Sequence, residues 1–284
     1  MKNTNEKFLQ LLRSTDETNV TLALEIAKGI PTIDLGEYLK DYQVLDYLFT
    51  EQKLRKLSPK NIANINGTTI VFLPRKGLKE FPLEIRVITH LDELNLSNNQ
   101  ISSLPQNLEQ LSYLKKLDLS VNSLTTIPES FLSFSNLQTL NLRRNKISSI
   151  PGKDHQLHLL LELDLSLNKL KNIPSHIATM PLLDNLILQR NCLTELPSFL
   201  GNLTNLRSLD LDMNQIQELP NTIGQLERLE ELRLNHNQLK ALPESIKNLT
   251  SLTLLTLEEN LFSVQEIEKI KSWLPHCRIQ IEEF

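Results

Sequence analysis

A 23-residue period runs through most of this chain. In the frame L-x-x-L-x-L-x-x-N-x-L, units start at Leu91, Leu114, Leu137, Leu160, Leu183, Leu206, Leu229 and Leu252, with no insertion between them. The ninth position of the eight units holds Asn99, Asn122, Asn145, Asn168, Asn191, Asn214, Asn237 and Asn260. A proline follows the fourteenth position in seven of them: Pro105, Pro128, Pro151, Pro174, Pro197, Pro220 and Pro243. A further unit reads backwards from Leu91. It starts at Thr68, keeps Val71, Leu73, Leu78, Phe81 and Pro82 in phase, and carries Lys76 in the asparagine slot. A unit this small cannot bury its apolar face alone, so its neighbours must stack on it and the chain must grow as a solenoid.

Strand side chains alternate, so the two leucines of L-x-L share one face and enter the core. Positions 3, 5 and 7 then point outward. The asparagine turns the chain away from the strand. Its amide can donate to and accept from backbone groups of adjacent turns, which have no ladder partner there. The L-P step ends regular pairing, because proline donates no backbone hydrogen bond. Apolar residues recur three and six after the proline: Leu108 and Leu111, Phe131 and Phe134, Ile177 and Met180, Leu200 and Leu203, Ile223 and Leu226, Ile246 and Leu249. That spacing predicts a short helical segment on the outer, convex side.

On these residues the chain resembles leucine-rich-repeat proteins, in particular the 23-residue L-P-x-x-[I/L]-x-x-L-x-x-L class of bacterial and plant-like type. The resemblance covers roughly three-quarters of the chain. It implies an α/β fold: a right-handed leucine-rich-repeat solenoid with a parallel concave β-sheet, short convex helical segments and a helical N-terminal cap. It implies a binding role but no particular one, since one fold hosts many functions.

The expected organisation is a helical cap over residues 1–67, the solenoid over 68–262 and a C-terminal cap over 263–284. In the N-terminal part, Glu6 to Arg13, Asp16 to Lys28 and Leu35 to Phe49 read as helices, the third with an interruption near Asp41. Ile62, Ile65 and Ile70 are read as leading into the first repeat. This region is expected to cap the core; a separate partner-docking role is the other reading. At the C-terminus, Ser263 is placed to cap a helix whose Val264, Ile267, Ile270 and Leu274 cover the last repeat. Arg278 to Ile281 reads as a final edge strand. This ending, and the segment Ser14 to Gly29, are similar to the ends of leucine-rich-repeat proteins from some environmental and commensal bacteria.

The formal net charge is −4, too mild to point to nucleic acid or an anionic membrane. No run of about 18 apolar residues suggests a membrane span, and the opening residues do not read as a secretory signal. Cys192 and Cys277 show no disulfide-capping pattern, so a reducing cytoplasm is the expected setting. Cys192 reads as a partly exposed thiol, Cys277 as a packed one.

The outward positions form the candidate binding face. Position 8 gives Asn98, Val121, Arg144, Leu167, Arg190, Met213, His236 and Glu259, taken as outward strand positions. Position 5 gives Asn95, Asp118, Asn141, Asp164, Ile187, Asp210, Arg233 and Thr256. Val121, Leu167, Ile187 and Met213 are apolar where solvated strands usually carry polar groups. Arg143, Arg144 and Arg190 lie among them, with Gln189, Asp210 and His236 alongside. Arginine beside exposed aliphatic side chains is the composition of interface centres; scattered solvated residues are the competing reading. A strip of nine strands at about 4.8 Å spacing would be about 38 Å long, which suits a folded protein or a long peptide better than a metabolite.

One convex unit departs from the pattern. After Pro151 the third position is Asp154 rather than an apolar residue, followed by His155 and His158. These three are candidate metal ligands or pH-sensitive groups; the alternative is a looser polar loop. Glu258, Glu259 and Asp212 form an acidic group with the chemistry to hold a cation, but it is read as a solvated face. The chain has seven glycines and none of the phosphate-cradling, nucleophile-elbow or zinc-protease motifs, so neither enzyme chemistry nor a cofactor is expected. Two functional readings remain. One is a monomeric interaction module that binds a protein on its concave face. The other is an adhesin or effector directed at a host or surface and secreted without a classical signal.

Overall fold

The computed structural model describes residues 2–52, 56–127, 134–150 and 157–282. Ten strands form one parallel sheet in simple sequence order. They are β1 (Ile70–Phe72), β2 (Glu93–Asn95), β3 (Lys116–Asp118), β4 (Thr139–Asn141), β5 (Glu162–Asp164), β6 (Asn185–Ile187), β7 (Ser208–Asp210), β8 (Glu231–Arg233), β9 (Leu254–Thr256) and β10 (Arg278–Gln280). From β1 to β9 the register advances by one repeat per strand, so Leu94, Leu117, Leu140, Leu163, Leu186, Leu209, Leu232 and Leu255 form one row. That row and the leucines two residues on are fully buried. Each contributes about 1.5–3 kcal/mol by leaving water. This is the leucine-rich-repeat solenoid, and its core continues into both ends.

The asparagine column is built as the amide chemistry requires. Asn168 Nδ2 donates to Leu142 O and Leu165 O, both at 3.0 Å, while its Oδ1 accepts Ile147 N–H at 3.0 Å. The same triad recurs at Asn122, Asn145, Asn191, Asn214, Asn237 and Asn260. Asn99 extends the column into the degenerate unit, where its Oδ1 takes the N–H of both Lys76 and Leu78.

The convex segments are 3-10 turns. Pro82, Pro174, Pro197, Pro220 and Pro243, all in extended conformation, immediately precede turns at Leu83–Val87, Ser175–Thr179, Ser198–Asn202, Asn221–Gln225 and Glu244–Asn248. The apolar residues expected to return inward from this side are buried wherever they are described; Phe131 lies outside the described residues. Gly224 marks a close approach of two turns: a Cβ there would lie 2.4 Å from Ser245 O.

Four helices precede the sheet: α1 (Lys2–Leu12), α2 (Glu17–Lys28), α3 (Leu35–Thr50) and α4 (Pro59–Asn66). Asp16, Asp34 and Ser58 cap the last three by accepting backbone N–H groups. Two expectations are corrected here. The third helix runs unbroken through Asp41, because the carboxylate is engaged outside the helix with Arg86 at 3.2 Å. Ile62 and Ile65 belong to α4, a helix started by the Ser58–Asn61 capping box and Pro59 at its first turn. Asn66 ties the bundle together: Nδ2 donates to Leu12 O and Ser14 O, and Oδ1 accepts the Tyr42 hydroxyl at 2.8 Å. Burial pushes the Tyr42 phenol up to about 12. Arg86–Asp41 and Lys76–Glu51 join the helices to the first repeat.

At the other end, α5 (Val264–Trp273) is capped by Ser263, and β10 pairs with β9. Ile267, Ile270 and Leu274 are buried as expected, but Val264 is exposed. It occupies the first helical position, ahead of the inward stripe. Lys269 Nζ lies 4.5 Å from the centre of the Trp273 ring. Cys277 is part-buried, and loss of water around it pushes its thiol up to about 11; Cys192 is part-buried as well.

Candidate functional site

Each strand is three residues long, and β1 to β9 cover positions 3 to 5 of their repeats. Positions 3 and 5 therefore supply the floor of the concave face. Position 8 lies past the strand end, which corrects its reading as an outward strand position. All eight position-8 residues sit in left-handed backbone, with φ between 54° and 57°. The chain must turn there so that the next residue, the asparagine, can point inward. Consecutive repeats are joined at this row, for example through Val121 N–H to Arg143 O at 2.8 Å and Leu167 N–H to Gln189 O at 2.8 Å.

The position-8 row is a rim along the C-terminal ends of the strands. It alternates Val121, Arg144, Leu167, Arg190, Met213 and His236, with the three apolar members half-buried and the others exposed. Arg143, at position 7, donates to Ser166 Oγ at 2.8 Å. Arg190 Nε donates to Met213 Sδ at 2.8 Å. Gln189 stands beside Arg190 on the same rim and is part-exposed. Ile187 and Asp210 lie on the floor, in register on adjacent strands. The expected residues thus fall on three positions of the repeat: Ile187 and Asp210 at position 5, Arg143 and Gln189 at position 7, and the others at position 8.

Most position-5 residues have a structural duty as well. Asn95, Asp118, Asn141, Asp164 and Asp210 each accept the backbone N–H two residues on, at 2.8–3.0 Å. That N–H has just left the strand and needs an acceptor. In the last two repeats the duty passes to position 7 of the preceding unit: Asp212 Oδ1 accepts Asn235 N–H at 2.7 Å, and Asn235 Oδ1 accepts Glu258 N–H at 2.8 Å. Ile187 interrupts this series, having no oxygen to offer Gln189 N–H.

The floor is acidic around that break. Loss of water raises Asp210, and the neighbouring charges of Asp212 and Asp164 raise it further, against the Asp212 N–H bond and Arg233. Loss of water likewise raises Asp212, against its bonds to Asn235 and the charges of Arg233 and His236. Arg233 is itself held by Glu231 at 3.0 Å. Two acceptors on the floor lack a partner among the described residues: Asn185 Oδ1 and Thr256 Oγ1. Thr256 is only 3% exposed although it occupies an outward position, flanked in register by the longer Arg233 and Gln280.

Sequence reasoning missed the largest apolar feature of the face. Ile70 and Phe72, positions 3 and 5 of the degenerate unit, are 58% and 67% exposed on β1. The frame from Thr68 already contained them; reading its outward positions would have found the pair. Of the candidate metal ligands, Asp154 and His155 lie outside the described residues, and His158 is exposed in a turn. Among the described residues no three histidine, cysteine or carboxylate side chains are grouped as a metal site would need.

Family models confirm the repeat. A leucine-rich repeat model matches residues 89–147, and a leucine-rich repeat region model matches residues 175–274. The chain is a leucine-rich-repeat protein. Among solved structures, it is similar to a Leptospira interrogans leucine-rich-repeat protein at 39% identity, over 72% of this chain and 52% of that one, with TM-score 0.68. It thus spans about half the length of that protein. It is also similar to the ectodomain of the Arabidopsis thaliana receptor kinase GASSHO1/SCHENGEN3, at 29% identity over 71% of this chain and 25% of that one, TM-score 0.59. That ectodomain was solved in complex with CASPARIAN STRIP INTEGRITY FACTOR 2. The leucine-rich-repeat domain of the type III effector XCV3220 (XopL) shares the fold at 20% identity, over 87% of this chain and 90% of that one, TM-score 0.66. No curated protein matches the chain.

Proposed function

We propose that this leucine-rich-repeat protein is a binding module, and that its concave face docks a protein or long peptide. The observation that carries the reading is the distribution of apolar side chains on outward positions of one continuous sheet. Ile70 and Phe72 stand exposed at one end, and Ile187 interrupts the polar floor five strands away, about 24 Å along. Leu167 and Met213 line the rim beside it. Exposed aromatic and aliphatic groups ringed by charge are what protein interfaces use as anchors. The complex of the receptor ectodomain with CASPARIAN STRIP INTEGRITY FACTOR 2 supports the use of this fold for binding.

We read the chain as a scaffold rather than an enzyme, because the repeats commit their buried residues to stacking and their position-5 carboxylates to backbone N–H groups. A bacterial origin fits the Leptospira relative. No helix among the described residues is long and apolar enough to cross a membrane. Two unpaired cysteines favour a reducing compartment. The N-terminal helices act in this reading as the cap of the first repeat, since Asp41 and Glu51 bind Arg86 and Lys76 there.

A crosslinked pull-down from the source cell, with the parent chain and with Phe72→Glu/Met213→Glu, tests the reading. Phe72 is exposed, so its substitution should alter stability by no more than about 0.5 kcal/mol, and at half-buried Met213 the introduced carboxylate can still accept from Arg190; a thermal melt of the variant confirms that it is folded. A protein captured by the parent and lost with the variant supports the concave face. Equal capture by both overturns it. A target found only in extracellular or host fractions would instead favour secretion.

A further inference from the structure

The break in the floor at Ile187 is specific to this chain's fifth full repeat, and its surroundings define what would sit on it. Asp164, Ile187 and Asp210 are in register on β5, β6 and β7. The two aspartates thus straddle the isoleucine at about two strand spacings, roughly 10 Å apart. Across β5 to β8, positions 3 to 7 carry Glu162, Asp164, Asp210, Asp212 and Glu231, against Arg233 as the single lysine or arginine of those units, with Arg143 of the preceding repeat reaching in to Ser166 Oγ. Arg190, on the nearby rim, is turned to Met213.

A residue that gives up a structural hydrogen bond used elsewhere in the stack breaks a local rule, and such breaks concentrate where function requires another side chain. Asparagine or aspartate at 187 would serve Gln189 N–H as Asp164 serves Ser166. Isoleucine instead places a part-exposed aliphatic group between two carboxylates. Asn185, two residues earlier on the same strand, has a buried Oδ1 with no partner among the described residues.

We propose that Ile187, Asp164 and Asp210 form the anchor point for a cationic segment of the partner, in which an aliphatic side chain is flanked by two lysines or arginines. The aliphatic group packs on Ile187, and each ammonium or guanidinium group meets one aspartate. This assignment rests on the concave face being the binding surface and adds the chemistry of its occupant. In an extended peptide, Lys-Gly-Leu-Gly-Lys places the three side chains on one face, with the lysine α-carbons about 13 Å apart. The flexible lysine stems close the small difference from the aspartate spacing.

The test uses the full chain with its isoleucine δ1 methyl groups 13C-labelled, so that Ile187 and Ile70 report separately. The probes are the capped peptide Lys-Gly-Leu-Gly-Lys and its counterpart Glu-Gly-Leu-Gly-Glu. The lysine peptide should shift the Ile187 methyl to saturation and weaken with added salt. Asp164→Asn/Asp210→Asn should lower that affinity at least tenfold while leaving the fold intact, since asparagine keeps the acceptor for the backbone N–H. Ile187→Asn, whose affinity is read instead by the fluorescence anisotropy of the same peptide carrying a dye, should lower it equally while leaving the melting temperature unchanged or higher. Equal shifts from the glutamate peptide, unchanged affinity in the double variant, or no movement of Ile187 would each overturn the proposal. If Ile70 moves and Ile187 does not, the concave face still binds and only this anchor is wrong. If neither moves and the pull-down is also insensitive to Phe72→Glu/Met213→Glu, both readings fall.

Discussion

Asp164 Oδ1 accepts the backbone N–H of Ser166 at 2.8 Å, bridging the last residue of β5 to the turn that follows it. The contact makes an outward carboxylate part of the scaffold. Asp164→Ala should cost about 1 kcal/mol, the net value of such a hydrogen bond, whereas Asp164→Asn should be near neutral. Urea denaturation of the two variants checks this. Equal midpoints for alanine and asparagine would mean that the N–H is as well served by water.

This duty explains what could be read from the sequence and what could not. The strand leucines and the asparagines announce themselves because their 23-residue spacing is fixed by core geometry. Asp118, Asp164 and Asp210 look like surface charges in sequence, since nothing local shows that the N–H two residues on has lost its strand partner. Val121, Leu167 and Met213, at position 8, would fall on the leucine face if alternation continued through them; they reach the surface only because the backbone switches to φ near 55°, which follows from where the asparagine must point. Helix α4 was marked by Ser58, Pro59 and Asn61, a start signal obscured by the isoleucines around it. Phe72 was hidden by the loss of asparagine at Lys76, which drew attention from the rest of that unit.

The asparagine column should be costlier to break than the aspartate series. Asn168 donates to Leu142 O, Leu165 O and Ser166 O and accepts Ile147 N–H, all of them buried backbone groups of its own and the preceding repeat. Asn168→Ala should destabilise by about 1–3 kcal/mol through the groups left unpaired. Leu209→Ala, at a fully buried site, should cost about 2–5 kcal/mol through lost burial and the cavity. Thermal melts that match the parent would contradict the packing described.

Val121 carries a β-branched side chain at φ 55°, a conformation that residues of its type seldom adopt. Asn98 occupies the equivalent place one repeat earlier, and asparagine tolerates left-handed backbone. Val121→Asn should therefore raise stability by about 0.5–1 kcal/mol, net of the half-buried valine surface given up. A lower urea midpoint for the variant would show that valine packing outweighs the backbone strain.

The concave floor should also respond to pH with a definite sign. Asp210 is raised above an ordinary carboxylate, first by loss of water and then by the charges of Asp212 and Asp164, while Arg233 opposes them. Glu231 faces Arg233, and His236 lies beyond Asp212. A raised pKa means that the folded chain holds this proton more tightly than the unfolded one. The cost of ionising Asp210 is therefore absent below the unfolded-chain value, grows as pH rises towards the folded-chain value, and is complete above it. Asp210→Asn removes that cost and keeps the acceptor for Asp212 N–H. Its melting temperature should equal the parent's near pH 3 and exceed it near pH 7, the gap opening across the carboxylate range. A gap that stays constant with pH, or one of opposite sign, would show that Arg233 neutralises Asp210 in the folded chain, leaving no unmet charge on the floor for a cationic partner to satisfy.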